Sequence, residues 1–170
     1  RSTHVVFDKT GTLTRGRPEL RQSTLLRDGD LATVLRIAAG LEAGSEHPLA
    51  MALTRAAGGA AVAESVVATP GLGVEGVVDG RRYRVGRPDY VARLSGADTG
   101  TAGSGEDAGT TTVALGDERG LLARFDLSDS LRPDAALAVT ALQRLGLEVW
   151  LLSGDSDAAV ARTARELGIR

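Results

Sequence analysis

The apolar positions of this chain mark a short strand near its start, alternating helix and strand near its end, and a mixed pattern between them. His4-Val5-Val6-Phe7 is a short apolar run followed at once by Asp8-Lys9-Thr10-Gly11-Thr12, which reads as a buried strand ending in a polar turn. Toward the other end, Pro133 to Leu145 carries apolar residues at helical spacing. Pro133 stands where a first-turn proline is tolerated, and Gly146 follows the last periodic residue. Leu147 to Leu152 is a second apolar strand, Ser153-Gly154-Asp155 a second polar turn, and Asp157 to Leu167 a second helix closed by Gly168. Helix, strand, turn and helix in that order predict an α/β fold with a parallel sheet.

The middle of the chain reads differently. Leu31 to Ala43 and Pro48 to Ala57 are helical, separated by Gly44-Ser45-Glu46-His47. From Val62 to Val85 the pattern switches to short β-rich pieces broken by Gly71, Gly73 and Gly76. Asp79-Gly80 between Val77-Val78 and Tyr83-Val85 is a hairpin signal. Ser95 to Gly109 is rich in Gly, Ala, Ser, Thr and acidic residues and predicts a mobile loop, with strands at Thr111 to Leu115 and Leu121 to Phe125 after it. The simplest architecture is a small α+β domain over 22–124, inserted between a first strand segment, 1–21, and the rest of an α/β domain, 125–170.

Composition narrows the chemistry. With 42% apolar and 25% charged residues the chain can build a core and stay soluble, and a net charge of -2 gives no electrostatic case for nucleic acid. The absence of cysteine excludes disulfides, thiolate metal sites and cysteine nucleophiles, and two histidines make a histidine-rich metal site a poor fit. No apolar run approaches the ~18 residues that cross a bilayer, and Arg1-Ser2-Thr3 leads straight into the first strand with no secretory signal.

Asp8-Lys9-Thr10-Gly11-Thr12-Leu13-Thr14 is the strongest chemical signal. A carboxylate at the carboxyl end of a parallel strand stands where such sheets bind ligands, and the glycine and hydroxyl residues after it let backbone amides approach an anion. Such an aspartate can attack a phosphoryl group and become an aspartyl phosphate. Lys9 and a bound Mg²⁺ would offset charge on the transferring group. A strand-end aspartate alone more often closes an Asx-turn. The whole seven-residue string reverses that weighting.

The string resembles the phosphorylation signature of P-type ATPases, whose catalytic fold is similar to that of haloacid-dehalogenase phosphatases with a nucleotide-binding domain inserted after the phosphorylated aspartate. The resemblance implies a partial haloacid-dehalogenase-like parallel sheet carrying an inserted domain of antiparallel sheet and flanking helices. Glu42-Ala43-Gly44-Ser45-Glu46-His47-Pro48-Leu49 resembles a segment of the heavy-metal-transporting branch. There Glu42 and His47 would belong to the ATP pocket, the carboxylate accepting from the adenine amino group and the imidazole stacking on the purine. A lone His47 would more simply cap the helix that begins at Pro48. Thr69 to Gly76 resembles the branch's GxG segment, in which Gly71 and Gly73 would lie close to the nucleotide, although GxG alone also suits a turn or bulge. Arg87 departs from the pattern, standing where the family commonly has an asparagine of the nucleotide site.

Asp126 to Pro133 resembles the segment that returns the chain to the phosphorylation domain, and Ser153-Gly154-Asp155 resembles the family's TGD motif with serine for threonine. The Ser153 hydroxyl can still donate to a phosphoryl oxygen. The resemblance implies ATP and Mg²⁺ as ligands, with Asp8 and the Thr10 carbonyl as this chain's share of the Mg²⁺ site. It also implies partners elsewhere in a longer protein on the cytoplasmic face of a membrane. These are membrane helices that select the transported metal, copper on the details GRPDYV and LLSGD, and an actuator domain that hydrolyses the phosphoenzyme. Low Mg²⁺ affinity and little complete turnover are expected of these 170 residues alone. Two other readings compete. A soluble phosphatase of the same superfamily would commonly carry an acid two residues after the nucleophile, where this chain has Thr10. A nucleotide-binding module without turnover leaves the Asp8 string unexplained.

Overall fold

A computed structural model describes residues 3–96, 109–153 and 157–169. The chain divides into two compact units, one of Arg1–Pro18, Glu106–Thr110 and Ser128–Arg170, the other of Glu19–Gly105 and Thr111–Leu127. Most of the segment expected to be a mobile loop, and the Gly154-Asp155 part of the second polar turn, lie outside the described residues.

In the first unit, β1 (His4–Asp8) pairs in parallel with β8 (Glu148–Leu152), in a register that sets Val6 opposite Trp150 and Asp8 opposite Leu152. Period-two alternation sends Phe7, Val149 and Leu151 to one face. There they pack with Ala135, Val139 and Leu142 of α4 (Ala135–Arg144), Ala164 and Leu167 of α5 (Asp157–Leu167), and Leu13 and Ile169. The other face is open: Val6, Trp150 and Leu152 are 60%, 56% and 64% exposed.

The second unit is built on a six-stranded sheet in the order β2-β7-β6-β5-β4-β3. Its strands are β2 (Thr14–Leu25), β3 (Glu64–Thr69), β4 (Gly73–Val78), β5 (Arg81–Gly86), β6 (Thr111–Asp117) and β7 (Gly120–Leu131). The chain leaves the first unit along β2 and returns to it along β7. The pairs from β3 to β7 are antiparallel, and Asp79-Gly80 forms the expected turn between β4 and β5. Helices α1 (Leu31–Leu41) and α2 (Pro48–Ala57) cover one face, their Val34, Ile37, Leu41 and Leu53 meeting Val74, Val85, Leu115 and Phe125. Val85, Leu115 and Phe125 retain no accessible surface, and each such burial contributes about 1.5–3 kcal/mol. The short α3 (Pro88–Ala92) packs on the opposite face, where Tyr90 and Val91 cluster with Ala114. This is the mixed architecture the chain's pattern implies, a parallel pair with flanking helices and an antiparallel sheet with its own.

Candidate functional site

The Asp8 loop is held from behind. Asp8 ends β1 in an extended conformation (φ -75°, ψ 134°), and its exposed carboxylate makes no capping bond to the turn that follows. It is therefore not the Asx-turn aspartate that a strand end ordinarily carries. Gly11 adopts φ 78°, a left-handed conformation with open space where a Cβ would stand. Here glycine is needed for conformation rather than for fit. The buried Thr14 closes the loop: the Gly11 N–H donates to its Oγ1 at 3.0 Å, and that hydroxyl donates to the Lys9 carbonyl at 3.2 Å. Farther along, the Gly16 and Arg17 amides donate to the two Asp129 oxygens at 3.0 and 3.2 Å, and the Arg132 N–H donates to the Leu13 carbonyl at 2.8 Å.

Thr14 and Asp129 were quoted in the sequence only as members of longer strings. A buried threonine placed to bridge its own loop is the signal that could have marked Thr14. Replacing it with valine keeps the shape and strands the Gly11 N–H, while the Lys9 carbonyl keeps the bond from the Thr14 backbone N–H. We expect Thr14→Val to cost about 1–3 kcal/mol, read as a lower urea midpoint; an unchanged midpoint would show that the bridge is idle.

The parallel register brings Asp8 and Ser153 together. Asp8 stands opposite Leu152, and Ser153 is the next residue after β8, so two polar groups leave the same end of two neighbouring strands. Thr10 sits in the turn beyond Asp8 with φ -75° and ψ 122°. A carboxylate and a main-chain carbonyl two residues apart suit a hard cation that keeps much of its water and takes further oxygens from phosphate. No group of three or more acidic or histidine side chains converges as a metal site among the described residues. Asp8 and the Thr10 carbonyl therefore offer two oxygens, and no closed metal site, to such a cation.

The second unit gathers Glu42, Ser45 and His47 where α1 gives way to α2. Glu42 caps the C-terminus of α1, the Ser45 N–H donates to the Glu42 carbonyl at 2.9 Å, and the His47 N–H donates to Ser45 Oγ at 3.3 Å. His47 does cap α2, its Nδ1 accepting from the Leu49 N–H at 3.3 Å. That bond also fixes the neutral ring's remaining proton on Nε2, so the cap leaves one N–H edge available to a ligand. Ser45, passed over in the sequence, links the two residues that were singled out.

Burial pushes the Glu42 carboxyl above its ordinary value of 4.5, against the opposing hydrogen bond from Ser45 and the nearby His47. A carboxyl raised on folding binds more protons in the folded state between 4.5 and its folded pKa. Its contribution is fully favourable below that window and is lost as pH rises through it. We therefore expect Glu42→Gln to raise thermal stability at neutral pH and to leave it unchanged below pH 4.5. Equal melting shifts at both pH values would contradict this.

Gly71 and Gly73 have different reasons for being glycine. Gly71 has φ 74° with nothing within 4 Å of a built Cβ. At Gly73 a Cβ would lie 2.1 Å from the Val85 carbonyl oxygen and 2.8 Å from Gly86 Cα, with φ at 151°. Gly86 faces it across β4 and β5, where the Gly73 backbone and the Leu72 carbonyl leave a side chain no room. The departure at Arg87 is also accounted for locally: its guanidinium forks onto Asp89 at 3.0 and 3.3 Å, and Asp89 takes Arg93 as well. Desolvation opposes ionisation of Asp89, and the Arg87 bond and the two cations outweigh it, holding the carboxyl below its ordinary value.

Comparison with known proteins gives one consistent answer. The haloacid dehalogenase-like hydrolase family matches residues 3–170. The probable copper-transporting ATPase SynA of Synechococcus sp. is 43% identical over 99% of this chain and 21% of its own length. The copper-exporting P-type ATPase B of Archaeoglobus fulgidus is 37% identical over 97% of this chain and 24% of its own length. Among solved structures, a zinc-transporting PIB-type ATPase in its E2.Pi state superimposes with a TM-score of 0.82 and 36% identity, over all of this chain and 28% of that one. The chain thus spans about a quarter or less of the relatives it matches.

Proposed function

The chain belongs to the haloacid dehalogenase-like hydrolase family, and from that premise we propose that it is the ATP-binding and phosphorylation part of a heavy-metal cation-transporting P-type ATPase. The observation that carries this reading is the pairing of Asp8 with Leu152, which sends the Asp8 carboxylate and Ser153 off one end of two parallel strands. No acid follows two residues later, since Thr10 holds that position.

In this reading an Asp8 carboxylate oxygen forms a bond to the γ-phosphorus of ATP. The bond from that phosphorus to the bridging oxygen breaks, and ADP leaves with the electron pair. Lys9 offsets charge on the moving phosphoryl group and Ser153 donates to one of its oxygens; Gly154 and Asp155, of the same sequence motif, lie outside the described residues. Asp8 and the Thr10 carbonyl would hold Mg²⁺, which would supply further charge neutralisation on the phosphate oxygens. Thr10 cannot act as a general acid or base near neutral pH. The aspartyl phosphate therefore persists until groups outside this chain hydrolyse it, as ion pumping requires and a phosphatase does not. The cargo we assign is copper, on the strength of the copper-transporting relatives; zinc is the second reading, carried by the zinc-transporting structural neighbour. The intact protein would work at the cytoplasmic face of a membrane, although no described helix is itself long and apolar enough to cross one.

Nucleotide binding is the part open to test on these residues. Amide shifts from Glu42 to His47 and at Gly71 and Gly73 should move on titration with ATP. His47→Asn keeps an N-cap acceptor, so the melting temperature should hold. It removes the ring, so ATP affinity should fall about tenfold, or ~1.4 kcal/mol. Unchanged affinity would remove His47 from the nucleotide site.

A further inference from the structure

The face of the sheet opposite α1 and α2 carries a clamp that ends on the Gly71–Gly73 turn. Arg84, on β5, donates through Nε to Glu75 Oε2 at 2.6 Å, a close charge-assisted bond to the neighbouring strand. Its NH1 donates to the Tyr90 carbonyl at 3.2 Å, and its guanidinium carbon lies 4.6 Å from the centre of the Tyr90 ring. One planar group therefore holds β4, β5 and α3 together, using a donor fork and a cation–π face that lysine lacks.

Tyr90 passes that constraint on. Tyr90 is only 7% exposed, Leu72 packs against the cluster it forms with Val91 and Ala114, and the tyrosine hydroxyl lies 3.5 Å from Thr69 Oγ1. From the start of α3, the Arg87 N–H donates to the Leu72 carbonyl at 2.8 Å, while the Leu72 N–H closes the turn onto the Thr69 carbonyl at 3.0 Å. The turn is thus tied to α3 by the Leu72 carbonyl, the Leu72 side chain and Thr69. Arg84 adds a polar tie from α3 to β4 and β5, beside the packing of Tyr90 and Val91 on Ala114.

We propose that Arg84 and Tyr90 are positioning residues of the nucleotide site, holding the Gly71-Leu72-Gly73 turn in the conformation that receives ATP. Both act through the turn, Arg84 by way of Tyr90, and Tyr90 by way of Leu72 and Thr69. This rests on the assignment of the second unit as the nucleotide site. A purely structural role would lower the melting temperature of Arg84→Lys and leave the affinity of the folded protein alone. A positioning role weakens affinity even where the protein is fully folded.

The test uses this 170-residue chain at low temperature, with folding verified by circular dichroism and ATP binding measured by calorimetry. Arg84→Lys keeps charge toward Glu75 and loses the fork and the stack; we expect about a tenfold weaker ATP dissociation constant. In the ligand-free variant the Gly71 and Gly73 amide shifts should move while those of Glu42 and His47 stay in place. Tyr90→Phe preserves the ring under Arg84 and removes only the hydroxyl near Thr69, so it folds as wild type and should weaken ATP about twofold to threefold. The double variant should be no weaker than Arg84→Lys, because both act through one turn. Wild-type protein that does not bind ATP would overturn the nucleotide assignment and the clamp with it. Wild type that binds while both single variants bind equally well would overturn the clamp alone.

Discussion

Asp8→Asn is expected to abolish phosphoenzyme formation in the intact protein while leaving ATP binding in place or slightly tighter. The amide is nearly isosteric with the carboxylate, and the exposed Asp8 side chain makes no capping bond whose loss would unfold the loop. Thr14, Asp129 and Arg132 hold that loop from positions the substitution does not touch. What disappears is the nucleophile, and removing a nucleophile costs a factor on the order of 10⁴ or more in rate. Nucleotide affinity survives because Glu42, Ser45 and His47 lie in the other compact unit. It can rise because the substitution removes a negative charge that would repel any γ-phosphate brought to Asp8 for transfer. Incorporation of label from γ-labelled ATP, measured beside equilibrium ATP binding, separates the two effects. Loss of both together would mean that Asp8 shapes the fold or the nucleotide site and is not specifically the acceptor.

Gly73→Ala should have the largest effect on stability. The new methyl would meet the Val85 carbonyl oxygen at 2.1 Å and Gly86 Cα at 2.8 Å, and both are backbone atoms that cannot rotate away. The φ of 151° adds a conformation that L residues rarely adopt. Splaying β4 from β5 would disturb the pairing that also places Val74 against Val85 in the core. Together we expect a loss of about 3 kcal/mol or more, a fall on the order of 10 °C or more in melting temperature for a unit of this size. Gly71→Ala meets no atom and strains only φ, so it should cost about 1 kcal/mol. Equal melting shifts for the two variants would refute this division. The contrast bears on function too: Gly73 is fixed by its own fold, which leaves Gly71 as the glycine whose exposed backbone a nucleotide can approach.

Elements with strong punctuation were legible in the sequence. Pro48–Ala57 and Asp157–Leu167 form helices with the expected bounds, because Pro48, Gly58 and Gly168 stop and start them chemically. The helix expected over Pro133 to Leu145 is tighter, Ala135–Arg144, and the one expected to reach Ala43 ends at Leu41. The 12-residue β2 was not foreseen. Gly16, Pro18 and scattered charges break its alternation, so its extended form comes from pairing with β7, a contact no local pattern encodes. For the same reason the segment Asp126 to Pro133, which does return the chain to the first unit, was not legible as a strand, although Asp126 to Leu131 is the second half of β7. The five residues of α3 were missed as well, being too short to show a helical period.

Candidate residues stood out where a motif compressed them, as at Asp8, Glu42 and His47. Others were hidden where the work is done by bonds between distant residues. Asp129 reaches Gly16 across 113 positions, and Arg84 reaches the Gly71–Gly73 turn through Tyr90.

The most direct test is to identify the labelled residue. The intact protein is mixed with γ-labelled ATP and Mg²⁺, quenched in acid within the first turnover, digested, and its labelled peptide sequenced. The label should lie on the peptide containing Asp8 and should be released by hydroxylamine, as an acyl phosphate is. Label on a serine or threonine, stable to hydroxylamine, would contradict the assignment, as would rapid release of phosphate with no labelled intermediate at all.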